Sequence, residues 1–217
     1  MGYSIIRNAV ILGLFAIATA AMLAWTNDRT RDRVACNRQF ALEASLLAVM
    51  PADRADNSLL EDRITVTDPR LGRSSYTLYR ARLDGAPSGA VLEAAAPDGY
   101  GGNIALLIGV DYDGVISGVR VVPPHNETPG LGDKIETRKS DWILSFDGHS
   151  LADTPQQAWA VRQDGGDFDS FTGATITPRA VVSAVYRALD YYQAQRDTLF
   201  AAESEAAPDM SGCGSRS

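Results

Sequence analysis

Asp169-Ser170-Phe171-Thr172-Gly173-Ala174-Thr175 places three hydroxyl side chains, a carboxylate and a glycine directly ahead of Ile176-Thr177-Pro178-Arg179. Thr177 suits a helix N-cap, and Pro178 suits the first helical position, where its missing N–H costs nothing. A helix start carries unpaired N–H groups and a partial positive charge, so the chemistry that fits this run is the holding of a phosphate. The same residue types also build ordinary turns. Composition alone therefore leaves a plain loop and cap as the competing reading.

A second run, His125-Asn126-Glu127-Thr128-Pro129-Gly130-Leu131-Gly132-Asp133-Lys134-Ile135, lies upstream. Its Pro129-Gly130 and Leu131-Gly132 pairs demand tight turns. Taken by itself it reads as a proline- and glycine-rich connector.

The elements that must position these runs follow from patterning. Ile64–Val66, Tyr76–Leu83, Gly89–Ala94, Ile104–Val110 and Val115–Val122 read as strands. Ile104–Val110 is apolar throughout, as expected of a strand buried on both faces. Asp84-Gly85 marks a turn, Asp113-Gly114 marks a hairpin turn, and Pro97–Gly102 reads as a loop. Leu144-Ser145-Phe146 opens a further expected strand. A helix runs from Pro178 to about Ala201, with Val181, Val182, Val185, Leu189 and Tyr192 on one face. The expected fold is α+β, an antiparallel sheet backed by helices, with one N-terminal transmembrane helix.

Residues 9–26 carry no charge, and at about 1.5 Å per residue they span roughly 27 Å, close to the hydrocarbon thickness of a bilayer. Trp25 stands at one end, where interface aromatics belong. A cleaved signal peptide competes with this reading, but Arg29, Arg31 and Arg33 follow where a small-residue cleavage site would stand. The expected organisation is a short segment over 1–8, a membrane helix over 9–26 and a helical linker over 27–50. One domain then spans 51–202, and a disordered tail spans 203–217. Counting Arg and Lys alone puts the domain in the cytoplasm, because Arg29, Arg31, Arg33 and Arg38 outnumber Arg7.

The net charge of −7 argues against a nucleic-acid partner, since phosphate backbones require a basic surface. Two cysteines, Cys36 and Cys213, and two histidines, His125 and His149, do not make a metal site. The cysteines either pair in an oxidising compartment or remain as two unrelated thiols. No residue of the chain is singled out as catalytic.

The spacing D-x-x-T-G-A-T over Asp169–Thr175 resembles the flavinylation motif of the FMN-binding domain family. E-T-P-G-L-G over Glu127–Gly132 resembles that family's second signature. The two together cover roughly residues 100–190. Within the family, size, the single anchor and the His125–Gly132 loop resemble the G-type branch, found in the Rnf ion-translocating oxidoreductase (electron transport) complexes. The C-type branch, found in the sodium-translocating NADH:quinone reductase, is the near alternative.

The resemblance implies covalent FMN, joined by a phosphoester to Thr175, in a flavoprotein that carries electrons and is not a complete enzyme alone. Asp169, Thr172, Gly173 and Ala174 would form the acceptor motif, and Glu127, Thr128, Gly130 and Leu131 would pack near the flavin. Lys134, Lys139 and Trp142 are further candidates to approach it. The implied partners are iron–sulfur and flavin subunits of the same membrane complex, which couples electron transfer between NADH and ferredoxin to ion transport. A separate flavin transferase would attach the cofactor. The resemblance also implies a bacterial inner-membrane location with the domain in the periplasm, against the charge count. An anchored sensor without a redox role is the reading from another class.

Overall fold

The computed structural model describes residues 2–206 and Cys213. The chain divides into two compact units, residues 1–42 with 209–217, and residues 43–208. Of the expected tail, residues 207–212 and 214–217 lie outside the described residues.

In the first unit the anchor and the linker are not separate elements. One helix, α1 (Gly2–Val49), runs through both. Its apolar stretch is long and apolar enough to cross a membrane, and none of it is buried against protein. The hydroxyls within it are satisfied locally: Thr19 donates to the Phe15 carbonyl at 3.0 Å and Thr26 to the Met22 carbonyl at 2.8 Å. Arg29 lies 5.6 Å from the centre of the Trp25 ring, where the apolar run ends. Cys36 and Cys213 form a disulfide, with their Cα atoms 5.5 Å apart. The choice that sequence left open is thereby made for the paired state.

The second unit holds a five-stranded antiparallel meander, β1 (Arg63–Val66), β2 (Tyr76–Leu83), β3 (Ala86–Gly99), β4 (Gly102–Asp111) and β5 (Ile116–Val122), in that order across the sheet. At the β2–β3 turn Asp84 and Gly85 both take positive φ, 51° and 77°, as a two-residue hairpin turn of this hand requires. The loop expected over Pro97–Gly102 is shorter than that. Gly99 pairs with Gly102, so only Tyr100 and Gly101 form the turn and β3 extends to meet it. Ile104–Val110 is buried on both faces as expected, except that Ala105 keeps partial exposure.

One face of the sheet packs on α2 (Ile176–Ala201), whose Val181, Val182, Val185, Leu189 and Tyr192 are all buried. The other face receives the end of α1 on a glycine bed. A β-carbon on Gly118 would lie 3.0 Å from the Val49 Cα, and one on Gly89 3.0 Å from the Met50 methyl group. Gly109 and Gly118 oppose each other across β4 and β5. Close approach of a helix to a strand pair needs such bare backbone.

From β5 to α2 the chain has no strand. The strand expected at Leu144–Phe146 is a 3-10 turn over Trp142–Phe146. Trp142, Ile143 and Phe146 are buried while Leu144 and Ser145 are exposed, a helical rather than alternating spacing. These aromatics join Phe168, Phe171 and Trp159 in a cluster. Phe146 stacks on Phe168 at 4.6 Å, and Trp142 meets Phe171 edge-on at 5.1 Å.

Residues 203–206, expected in the disordered tail, are ordered against β1. Glu205 donates its N–H to the Arg63 carbonyl at 2.8 Å, and its carboxylate accepts from the Thr65 N–H at 2.8 Å. These bonds lay residues 203–206 along the open edge of β1, which would otherwise expose unpaired backbone groups.

Candidate functional site

The phosphate-type run forms a tight turn followed by the start of α2. Ala174 donates to the Phe171 carbonyl at 3.0 Å, and Gly173 takes φ 82°. A β-carbon at Gly173 would meet nothing closer than the Leu131 methyl at 3.8 Å, so glycine is demanded here by backbone conformation and not by space. Thr172 and Gly173 form the exposed tip. Behind the turn, the Trp142 indole N–H donates to the Asp169 carbonyl at 2.8 Å. The Asp169 carboxylate points outward to Arg162 at 2.8 Å.

The helix begins two residues earlier than its proline suggests. Ile176 is the first helical residue, Thr175 occupies the N-cap position, and Thr177 lies buried within the first turn. Pro178 is tolerated there because the first-turn N–H groups lack helical partners in any case. Thr177 is drawn inward by a partner that local sequence does not reveal: its hydroxyl donates to Oε2 of Glu127, fifty positions upstream. The Thr175 side chain makes no capping hydrogen bond. Its hydroxyl is therefore not engaged in holding the helix end.

The second run is braced on every side. Pro123-Pro124, joined by a cis peptide, leads into it. The Thr128 carbonyl accepts from the N–H groups of Leu131 at 3.1 Å and Gly132 at 3.0 Å, and Gly130 turns with φ 78°. Asp133 accepts from the Gly130 N–H at 2.7 Å and meets Lys139 at 3.5 Å. His125 Nε2 faces Glu136 at 2.8 Å, and its Nδ1 accepts from the Glu127 N–H at 3.4 Å. The Glu136 carboxyl is held below the usual carboxylate range, chiefly by the hydrogen bond from Arg138; burial opposes this, and His125 adds to the lowering.

Glu127 ties three segments together. Its Oε1 accepts from the Gly101 N–H of the β3–β4 turn at 2.8 Å, and its Oε2 from Thr177 of α2. Gly132 closes over this junction, since a β-carbon there would come within 2.6 Å of Oε2.

The two runs thus meet, and between them lies a cavity of about 270 Å³. Its walls are Glu127, Thr128, Leu131 and Gly132 from one run and Gly173, Ala174 and Thr175 from the other, completed by Tyr100, Ile176 and Thr177. Of the residues expected near a cofactor, Asp169, Thr172 and Gly130 flank these walls without lining them. Lys134, Lys139 and Trp142 do not line them either. Sequence reasoning missed Tyr100 and took Ile176 and Thr177 only as the start of the helix. The signal for Tyr100 was an aromatic among Gly99, Gly101 and Gly102, a composition that marks close backbone approach. Gly101 packs under Asn126, whose carbonyl a β-carbon at that position would overlap.

Comparison with known proteins matches this chain to a family. The model of the FMN-binding domain matches residues 99–190, the stretch that builds the cavity, and the model of the RnfG N-terminal region matches residues 1–49. The G subunit of the ion-translocating oxidoreductase complex of Pseudoalteromonas atlantica is 46% identical over 97% of this chain and 98% of its own length. Its counterpart in Escherichia coli strain K12 is 48% identical over 86% of this chain and 90% of its own. Among solved structures, Shewanella oneidensis NqrC superposes with a TM-score of 0.45 at 22% identity, over 70% of this chain and 74% of that one. The chain belongs to the RnfG family, the G subunits of ion-translocating oxidoreductase complexes.

Proposed function

We propose that this chain is the FMN-carrying subunit of an ion-translocating oxidoreductase complex and that Thr175 holds the flavin through a phosphoester. The observation that carries the tether is the state of Thr175. It stands at the mouth of α2, lines the cavity, and leaves its hydroxyl out of the helix cap. The residues present fit the group. The first-turn N–H groups of Ile176 and Thr177 and the positive end of the helix stabilise a phosphoryl charge. Tyr100, Leu131 and Ile176 offer apolar surface for a flat ring, and all three keep substantial exposure. Gly173 and Ala174 leave the approach to Thr175 free of bulky side chains.

Bound there, FMN supplies one-electron transfer, and the protein orients it and sets its surroundings. In maturation the Thr175 oxygen forms a bond to the FMN-side phosphorus of FAD, the pyrophosphate P–O bond breaks, and AMP leaves. The hydroxyl proton passes to a base. A threonine hydroxyl is too weak a nucleophile to do this unaided, so base and metal belong to a flavin transferase.

Electrons then pass between NADH and ferredoxin through partner subunits, whose flavins and iron–sulfur centres flank this carrier. The near full-length identity to the Rnf-type relatives favours that assignment over the corresponding NqrC component of the sodium-translocating quinone reductase. The helix α1 anchors the chain in the bacterial inner membrane. The Cys36–Cys213 disulfide supports a periplasmic domain, because disulfides persist in oxidising compartments. Two readouts test the tether, in-gel fluorescence of the denatured chain and intact mass, after coexpression with a flavin transferase. The wild type gains one FMN phosphoryl unit and Thr175→Ala gains none. Covalent flavin on the alanine variant, or none on the wild type, overturns the reading.

A further inference from the structure

Among the described residues three charged side chains are buried, Arg80, Glu127 and Asp133. Arg80 pairs with Asp62 at 2.5 Å and Asp133 with Lys139 at 3.5 Å. Glu127 differs. It is 5% exposed, yet among the described residues no Lys, Arg or His lies within ion-pair distance of its carboxylate. Both its oxygens accept, one from the Gly101 N–H and one from the Thr177 hydroxyl, which is the bonding of an ionised carboxylate. A β-carbon at Gly132 would lie 2.6 Å from Oε2, so only glycine fits beside it.

A buried anion without a cation is costly, and its field is weakly screened. Glu127 is also the sole charged side chain on the cavity wall among the described residues. We propose that Glu127 and Thr177 are a tuning pair for the flavin of this cavity. The Glu127 charge holds the reduction potential down, and the Thr177 hydroxyl sets how much of that charge the cavity feels. This rests on the reading of Thr175 as the tether. The physical reason is direct. Reduction adds electron density to the ring, and a nearby fixed negative charge disfavours that. A hydroxyl dipole aimed at the carboxylate offsets part of the charge, so its removal makes the disfavouring stronger. The two residues therefore act with opposite signs, which a purely structural brace would not do.

The test uses the full chain, coexpressed with a flavin transferase and purified from membranes. Covalent flavin is first measured by intact mass. The midpoint potential is then read by spectroelectrochemical titration of the flavin absorbance. Glu127→Gln shifts the midpoint to more positive potential, Thr177→Val to more negative, and Thr177→Ser stays near wild type. Equal potentials in all variants, or shifts of the same sign in Glu127→Gln and Thr177→Val, overturn the pair. If Glu127→Gln does not fold or load, Thr177→Val and Thr177→Ser decide alone. A valine variant at or above the wild-type potential sinks the proposal. A wild type without covalent flavin fails at the mass step and counts against the tether instead.

Discussion

Gly109 lies directly beneath the Val49 carbonyl: a β-carbon at Gly109 would overlap that oxygen. The same oxygen accepts the Ser117 hydroxyl at 2.5 Å. The last turn of α1 is therefore fixed to the sheet by contact as well as by hydrogen bonding. Gly109→Ala forces backbone apart from backbone and should destabilise by about 1–3 kcal/mol, the usual cost of overpacking. Ser117→Ala should cost about 1 kcal/mol, the net worth of one hydrogen bond. Thermal unfolding in detergent compares the two, and an alanine at Gly109 that leaves the melting temperature unchanged would show that α1 does not seat there.

Arg80 holds the far end of α2. Its guanidinium donates to the carbonyls of Leu199 at 3.0 Å and Ala202 at 2.6 Å, to Ser204 at 2.7 Å, and to Asp62 at 2.7 Å. Asp62 keeps Arg82 at 2.6 Å, but the Leu199 and Ala202 carbonyls lose their donor, so Arg80→Met should cost about 1–3 kcal/mol. Denaturant unfolding measures it. Loss under about 1 kcal/mol, the net worth of a single hydrogen bond, would mean that these bonds are not made in solution.

Acid should weaken the domain in a narrow range. Burial raises the Asp62 carboxyl, but hydrogen bonds from Arg82, Ser204 and Arg80 outweigh it and hold the group below its ordinary 3.8. Asp68 is held low by the hydrogen bond from Arg70, against burial. A depressed folded pKa contributes stability that is fully present above the unfolded value and lost as pH falls through the folded one. Melting temperature should therefore be level from about pH 7 to 5 and fall below about pH 4. A flat profile down to about pH 3, below the ordinary carboxylate range, would show that these ion pairs contribute nothing.

The pairing of Cys36 with Cys213 predicts thiol chemistry. The chain taken from cells under non-reducing conditions should resist maleimide until a reductant is added, and then accept two labels. Cys36→Ser should expose one reactive thiol at Cys213. Ready labelling of the unreduced wild type would refute the disulfide.

Much of the fold is legible from residues alone, and the failures have physical causes. Alternation and turn chemistry mark the strands, because each strand is half or wholly buried and each hairpin needs positive φ. The two cavity runs are legible as a pair only through resemblance, since nothing in Pro129-Gly130 says what it will face. The start of α2 is displaced from its expected place because Thr177 obeys Glu127, a partner fifty positions away, and not its proline neighbour. Leu144–Phe146 is too short to separate strand from turn. Arg80 gives no sign of burial, since an arginine in a strand ordinarily faces water. Its partners gather from the segment before β1 and the end of α2, which only the fold brings together.

The bond between Cys36 and Cys213 joins positions 177 apart in sequence. Everything between them, the sheet and the cavity included, is a side branch of the covalent path from one end of the chain to the other. A mechanical load applied between α1 ahead of Cys36 and the chain at Cys213 would cross the sulfur bridge directly. The hydrogen bonds of the flavin domain would carry none of it.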